Sequence, residues 1–390
     1  MILNHIKMAG TDELVNISID SDKITNVSSS AVTDLRDTLQ LSFSDAIVFP
    51  GLINSHDHLD FNLYPQLGDR IYNNYTEWGN HIHKNYNDEI ASVLKIPAPL
   101  RYQWGVYKNL LCGVTTVVNH GERSGMGADL ITVFEETQCL HSVQFEKGWK
   151  LKLNNPFKVK LPVNIHVGEG DDWPSFNEID ELTGWNLLKK RLIGIHAVAM
   201  TREQAKKFEA VVWCPQSNYF LLDKTARVNI LSKHTNLLFG TDSTLTSSWD
   251  MWEHLRSARR TDLISDEMIY QALNQNAAKT WRLNSGEITA GKDADLVVAK
   301  AKKNSSGFDA FFGVSPADLL LVMHKGNIRL FDEALLPQLK QIGLSNFNKI
   351  YINGACKYVQ GDLPGLMETI RGYHQEVDFP VSVDQAEYQD

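Results

Sequence analysis

The stretch that decides the fold is AIVFPGLINSHDH, residues 46–58. Most of it is apolar, as is typical of a strand buried on both faces, and it ends in the pair His56 and His58. Residues i and i+2 of an extended strand point to the same side, so two imidazoles at this spacing can converge on one ion. The stretch therefore predicts a buried strand whose carboxyl end carries metal ligands.

Five more apolar runs follow, and helical candidates separate them, namely residues 128–138, 177–190, 201–210 and 265–281. Buried strands that alternate with helices predict a parallel sheet, and a region of this length predicts an α/β fold with a closed (β/α) barrel. The runs are GVTTVVNH (113–120), LPVNIHVGE (161–169), RLIGIHAV (191–198), AVVWCPQS (210–217) and NLLFGTDS (236–243).

The count of strands is one short of an eight-stranded barrel. His120 and His166 are only 46 residues apart, which leaves little room for two strands and their helices. Either a fourth strand lies in WKLKLNNPFKVK, residues 149–160, or the barrel is abbreviated near strands three and four. The predicted strands end near His58, His120, Lys147, Glu169, His196, Ser217 and Asp242.

The two ends of the chain differ from this middle region. Segments such as LVNISID (14–20) and KIYINGACKYVQ (349–360) alternate apolar and polar residues beside turns, which is typical of antiparallel strands. We expect residues 1–49 and 285–390 to form one small β-sandwich domain, with a C-terminal helix and tail. The barrel, residues 50–284, would be inserted between its two parts.

Composition excludes several classes of protein. The chain has 390 residues, 43% of them hydrophobic, and a net charge of −9, which argues against nucleic-acid binding through a basic face. No apolar run reaches about 18 residues, so we expect no membrane partner and a cytoplasmic location. The four cysteines lie far apart and suggest free thiols.

Chemically reactive side chains stand where the apolar runs end, and in a barrel those ends form the active-site face. Histidine and aspartate suit Zn²⁺ or Fe²⁺, and three histidines with one aspartate leave a position for water, whose pKa the ion lowers to about 7. Each residue also has a structural alternative; Asp242, for example, could cap a helix. The residues concerned are His56, His58, His166, His196 and Asp242.

Taken in order, these motifs resemble the amidohydrolase superfamily, and most of all its cytosine-deaminase and triazine-hydrolase branch. The resemblance extends over nearly the whole chain. Its motifs are VFPGLINSHDH (48–58), HVGE (166–169), GIHAV (194–198), CPQSN (214–218), FGTDS (239–243) and GEITAGKDADLVV (286–298).

The resemblance implies a role for each matching residue. One divalent ion would be bound by the residues His56, His58, His166 and Asp242. Glu169 would carry a proton to the substrate, His196 would hydrogen-bond the substrate or the attacking water, and Asp242 would also accept the proton of that water.

Other residues are weaker candidates. We expect His120, Ser217, Asn218 and Trp78 to contact a small-molecule substrate, although His120 and Trp78 could equally pack, and His120 could assist a second metal. Lys147 leaves open a two-metal site bridged by a carboxylated lysine. The pair His81 and His83 lies in a helical stretch, where residues i and i+2 do not share a face. A homodimer is an expectation from similar proteins.

Three functions remain open at this point. The first is hydrolytic deamination of an aminated heterocycle, and the second is hydrolysis of an amide, a cyclic amide or another leaving group. The third is a barrel that binds a ligand without turnover, which would have no need of a proton shuttle such as Glu169.

Overall fold

The computed structural model describes residues 1–30, 38–121 and 129–384. Within these ranges lie eighteen strands and thirteen α-helices, and no helix among them is long and apolar enough to cross a bilayer. The strands are β1 (Ile2–Met8), β2 (Leu14–Asp20), β3 (Lys23–Ser28), β4 (Gln40–Ser42), β5 (Ala46–Pro50), β6 (Leu52–Asp57), β7 (Val114–Asn119), β8 (Thr132–Phe134), β9 (Gln138–Ser142), β10 (Val163–Val167), β11 (Leu192–His196), β12 (Ala210–Trp213), β13 (Asn236–Phe239), β14 (Leu296–Lys300), β15 (Leu319–His324), β16 (Asn327–Asp332), β17 (Phe347–Ile352) and β18 (Ala355–Gln360).

The helices follow most of the strands of the middle region. They are α1 (Tyr75–Asn85), α2 (Asn87–Leu94), α3 (Ala98–Leu111), α4 (Trp149–Leu153), α5 (Trp173–Trp185), α6 (Arg202–Ala205), α7 (Pro215–Leu222), α8 (Val228–Leu231), α9 (Met251–Arg260), α10 (Asp266–Leu273), α11 (Gln275–Trp281), α12 (Gly307–Phe312) and α13 (Leu363–Tyr373).

The middle region contains two parallel sheets. One pairs β6, β7 and β8 in that order, and the other pairs β9 through β13 in chain order. The amide groups of Thr241 and Asp242, which follow β13, both donate to the carbonyl of His56 on β6 at 3.1 Å. The predicted mixed α/β fold is confirmed, while closure of the two sheets into one barrel stays a prediction.

The stretch between His120 and His166 differs from the prediction. Residues 128–138 were expected to form a helix, but Thr132–Phe134 is a strand that pairs with β7. The β-branched and aromatic residues of this short, half-buried run suit a strand beside β7 better than a helix. Residues 149–160, offered as a hidden strand, contain helix α4 and a 3₁₀ turn instead.

The middle region has eight strands, β6 to β13, one more than the seven predicted, but the connection between β8 and β9 is short. Strand β9 ends at Ser142, before the expected end near Lys147, and only three residues separate β8 from β9. A crossover helix between parallel strands needs about ten residues or more, so no helix fits in that connection. The two strands pair with different neighbours, β8 with β7 and β9 with β10, and belong to different sheets.

The two chain ends meet in one mixed sheet of ten strands. Strand β14 pairs antiparallel with β5, which joins the C-terminal strands to the N-terminal ones. Because the described strands of both ends form a single sheet, the β-sandwich is not confirmed. The domain boundaries at residues 49 and 284 stay predictions, and the last six residues of the expected tail lie outside the described part.

Helix α3 holds the chain that follows β6. Its Gly105 approaches the backbone so closely that an added Cβ would lie 2.1 Å from the carbonyl oxygen of Leu59. In the same helix, Trp104 Nε1 donates to the carbonyl of Asn62 at 2.8 Å. The turn after the two predicted metal-binding histidines is therefore fixed by direct contact with a helix.

We expect Gly105→Ala to destabilise the protein by roughly 1–3 kcal/mol, because α3 must move away from Leu59 to admit a methyl group. Gly184→Ala in helix α5 is the matched control, since an added Cβ there meets nothing within 4 Å. It should be neutral or slightly stabilising. Urea unfolding measures both, and equal midpoints for the two variants would contradict the close contact.

Candidate metal centre

Five predicted site residues come together at the carboxyl ends of the parallel strands. His56 and His58 lie at the end of β6 and just after it, His166 lies on β10, His196 ends β11, and Asp242 follows β13. All five are at most 8% exposed. The structure thus places imidazoles and a carboxylate from four strands around one buried point.

The distances between their side chains suit one small ion. The Nε2 atom of His166 lies 3.2 Å from that of His56 and 3.3 Å from that of His58. Asp242 Oδ1 lies 3.6 Å from the Nε2 atoms of both His56 and His58. Ligands about 2.0–2.1 Å from a tetrahedral ion are about 3.3–3.4 Å from one another, so these four separations are compatible with a divalent metal. Among the described residues, two groups have ligand atoms that all lie within 4.8 Å of one another, namely His56, His120 and His166, and His56, His196 and Asp242.

His166 presents a lone pair rather than a proton to this point. His166 Nδ1 donates to the carbonyl of His141 at 2.9 Å, so the neutral ring has no proton on Nε2. Burial, followed by the neighbouring imidazoles, lowers the pKa of His166 well below its usual value, and burial with His56 lowers the pKa of His58 to about 3. Neutral imidazoles are the form that binds metal.

Asp242 is oriented by hydroxyl groups. Its Oδ2 accepts hydrogen bonds from Ser217 Oγ at 2.8 Å and from Thr246 Oγ1 at 2.9 Å, so Oδ1 is the oxygen that faces the histidines. The residue takes a left-handed backbone conformation, with φ of 59°. It does not cap a helix, because the next helix, α9, is capped by Asp250.

Glu169 and His196 form a second pair beside the cluster. His196 Nδ1 lies 2.9 Å from Asn218 Oδ1 and donates to it, and its Nε2 lies 3.6 Å from Glu169 Oε1. Burial, then the charge of Asp242, raises the pKa of Glu169 well above its usual value. Burial lowers the pKa of His196 to about 4, so its imidazole is uncharged near neutral pH.

A further carboxyl group, Glu178 on α5, supports the loop that carries Glu169. Its Oε1 accepts from the amide of Gly168 at 2.7 Å, and its Oε2 accepts from the hydroxyl of Tyr75 at 3.1 Å. Burial raises the pKa of Glu178 to about 7. Sequence reasoning missed this residue, because Glu178 looks like an ordinary polar position of an amphipathic helix.

A cavity of about 470 Å³ opens onto the cluster. Aromatic rings form much of its wall, and Asp242, Glu169 and three of the histidines form its polar side. Trp78 lines it, as predicted for a substrate contact, and so does His83, which was not expected to. Its other lining residues include Phe61, Tyr75, His141, Phe145, Leu245 and Thr246.

The remaining substrate candidates lie elsewhere. Ser217 and Asn218 do not line this cavity; they lie behind it and contact Asp242 and His196. His120 borders a neighbouring cavity of about 760 Å³. Lys147 is exposed and lines neither cavity, so its position does not favour a bridging role.

His141 is a site residue that the sequence reasoning did not select. It lies on β9 and lines both cavities, with its ring centroid 5.2 Å from that of His166. The signal was the run QCLHS, residues 138–142, in which a histidine ends an apolar strand like the others. The helix assigned to residues 128–138 concealed it.

Behind the cluster lies a buried ion pair. Asp57, between the two histidines of β6, accepts from Lys108 Nζ at 3.0 Å and from Asn109 Nδ2 at 2.7 Å, both on α3. Lys108 also donates to Thr241 Oγ1 at 3.3 Å, next to Asp242. Both charged side chains are almost fully buried. The pair links the strand of His56 and His58 to the residue that precedes Asp242.

Comparison with known proteins agrees with this fold. The model of the amidohydrolase family matches residues 158–329. This match agrees with the predicted resemblance to the amidohydrolase superfamily. The matched residues include His166, Glu169, His196 and Asp242, and they extend into the C-terminal strands.

One curated relative and two solved structures are similar to the chain. A 5-methylthioadenosine/S-adenosylhomocysteine deaminase from Archaeoglobus fulgidus is 29% identical over 140 residues, which cover 32% of each protein. An adenosine deaminase from Xanthomonas campestris with bound zinc aligns with a TM-score of 0.71 and 15% identity, covering 96% of this chain and 98% of its own.

The second structure is atrazine chlorohydrolase from Arthrobacter aurescens with zinc. It aligns with a TM-score of 0.63 and 16% identity, covering 84% of this chain and 94% of its own. At this identity, both structures show a shared fold and nothing finer. The chain spans about a third of the curated relative, at 32%. The predicted homodimer stays a prediction.

We expect Lys108→Met to destabilise the protein by about 3–5 kcal/mol, because it leaves the buried carboxylate of Asp57 without its cation. Lys95→Met, at an exposed position, is the control and should have little effect. Adding Asp57→Asn to Lys108→Met should restore part of the loss, as thermal unfolding would show. If Lys108→Met were no worse than the control, the pair would not hold the strands together.

Proposed function

We propose that this protein is a metal-dependent hydrolase that cleaves a carbon–nitrogen bond, and that its reaction is the deamination of an aminated heterocycle. His56, His58, His166 and Asp242 would hold one divalent ion, Zn²⁺ or Fe²⁺. When bound, such an ion makes hydroxide available from water near neutral pH. The fit of the donor distances to a single ion supports this assignment.

The proposal rests on the opposite pKa shifts of two neighbouring carboxyl groups, those of Glu169 and Asp242. Burial raises the pKa of Glu169 well above its usual value, so this residue holds a proton. Burial also favours protonation of Asp242, but its hydrogen bond with His56 and the nearby imidazoles lower its pKa well below the usual value. Two carboxyls pushed apart in this way supply an acid and a base to one reaction.

Each residue then has a task that its position allows. Asp242 accepts the proton of the attacking water, and Glu169 delivers a proton to the ring nitrogen or to the departing amine. His196 is held by Asn218 and points its Nε2 toward Glu169, so it can hydrogen-bond the substrate at the reacting carbon. A protein that only binds a ligand would not need this acid–base pair.

The cavity supports a flat aromatic substrate. Phe61, Tyr75, Trp78 and Phe145 line it on one side, and the reacting groups line it on the other. Its volume of about 470 Å³ suits a small molecule. The names of the relatives, adenosine deaminase and methylthioadenosine/S-adenosylhomocysteine deaminase, favour an aminated purine as the first ring to test.

A second candidate is hydrolysis that displaces a leaving group other than ammonia. The similarity in fold to atrazine chlorohydrolase supports this alternative. Ammonia release measured over a panel of aminopurines, aminopyrimidines, pterins and triazines separates the two. Turnover without ammonia would favour the second candidate over the first.

We expect Glu169→Gln to lower the turnover rate by at least about 10²-fold while the metal content stays unchanged, because the amide keeps the shape of the side chain but cannot transfer the proton. Glu203→Gln, at an exposed carboxylate, is the control and should keep full activity. Steady-state kinetics and metal analysis on the same samples are the measurements. Full activity in Glu169→Gln would remove the proton shuttle from the mechanism.

We expect His166→Ala to lose its bound metal, because two of the shortest contacts in the cluster end on its Nε2 atom. His81→Ala is the matched control, since His81 lies on helix α1 beside Asp69 and outside the cluster. Elemental analysis after purification should show metal in the control and almost none in His166→Ala. Full occupancy of His166→Ala would contradict the ligand assignment.

A further inference from the structure

His120 is a buried imidazole for which the proposed mechanism has no use. It follows strand β7 and is 2% exposed. Among the described residues, neither its Nδ1 nor its Nε2 has a hydrogen-bond partner. A buried polar atom without a hydrogen-bond partner destabilises the fold. Two such nitrogen atoms on one ring therefore indicate that the imidazole of His120 binds a ligand.

The ring points at the metal centre. One ring nitrogen of each of His56, His120 and His166 lies within 4.8 Å of those of the other two. The ring centroid of His120 is 4.3 Å from that of His166, 5.1 Å from that of His56 and 5.2 Å from that of His58. By the same criterion, His196 forms a second group with His56 and Asp242. His196 Nδ1 is hydrogen-bonded to Asn218, however, whereas neither nitrogen of His120 has a partner among the described residues.

Two other roles for His120, packing and contact with the substrate, fit these observations less well. A packing role would leave both nitrogens buried beside other imidazoles without a hydrogen bond. A substrate contact is disfavoured because His120 does not line the cavity that holds Glu169, His196 and the aromatic wall. The cavity that His120 does border lies on the other side of His58 and His141.

We propose that His120 is an additional ligand of the ion that the proposed function requires, so that four histidines and Asp242 surround one metal. The inference rests on that function. With a water, these five side chains give six ligands, which exceeds the tetrahedral set that Zn²⁺ prefers and suits an ion such as Fe²⁺ or Co²⁺. The centre would then differ from a site built of three histidines and one aspartate.

The test compares the full-length protein with the variants His120→Leu and His141→Leu. His141 is the matched control, because its ring is also near His166 but lies outside the compact group. The probe is Co²⁺, added to metal-free protein against a competing chelator. We expect His120→Leu to bind Co²⁺ at least about tenfold more weakly and with a stronger visible absorption band, since fewer ligands remain. His141→Leu should match the wild type in both.

Stability without metal separates a ligand from a packing residue. If His120 only packs, metal-free His120→Leu should melt below the metal-free wild type. If it is a ligand, the metal-free variant should be at least as stable, because unpartnered nitrogens are removed, while added Co²⁺ should raise its melting temperature less than that of the wild type.

Three results would overturn the inference. They are an unchanged affinity and spectrum in His120→Leu, an equal loss in both variants, and two ions in the wild type that fall to one in His120→Leu. A wild-type protein that takes up no metal at all would instead refute the proposed function itself. The two failures are therefore distinguishable in one set of samples.

Discussion

The buried ion pair between Asp57 and Lys108 is the constraint on which the site depends. Strand alternation sends Asp57 to the side opposite His56 and His58, so the force that holds Asp57 also aims the two imidazoles. Lys108 and Asn109 hold it from helix α3, and Thr241 ties the same network to the strand of Asp242. Two of the strands that supply metal ligands are thus positioned by charged and polar groups that water does not reach. Because their partners are complete, these groups can be rigid without a large cost in free energy.

On the opposite side of strand β6 from Asp57, His56 and His58 face the histidine cluster. The Nε2 atoms of His56 and His58 both approach the Nε2 atom of His166, at 3.2 and 3.3 Å. The pKa of Glu169 is raised by burial while that of Asp242 is lowered by the neighbouring imidazoles, and both His196 and Asp242 take left-handed backbone conformations. Each of these features is unfavourable alone, and they occur together only where strands converge. A divalent ion bound between these side chains would compensate for most of these unfavourable features at once.

The shortened stretch before β10 connects the fold to the shape of the site. With three residues between β8 and β9, no helix and no long loop lies between those strands. His141 is therefore carried directly to the wall between the two cavities, next to His58. The second cavity, about 760 Å³ in volume, lies on the side of His120 where the chain is short.

The sequence by itself determined the direction of each ligand within its own strand. The spacing of His56 and His58, and the histidines or aspartate at the ends of other apolar runs, depend on local periodicity, which neighbours along the chain fix. Only the tertiary structure decided which strands lie side by side. It made Thr132–Phe134 a strand, because β7 offers it a partner, and it placed Ser217 and Asn218 behind the site rather than in it. It also paired Asp57 with Lys108, which lies 51 positions further along the chain. In the same way it brought His120 next to His166, which lies 46 positions further along. Such contacts depend on how the sheets pack, and no local pattern in the chain encodes that.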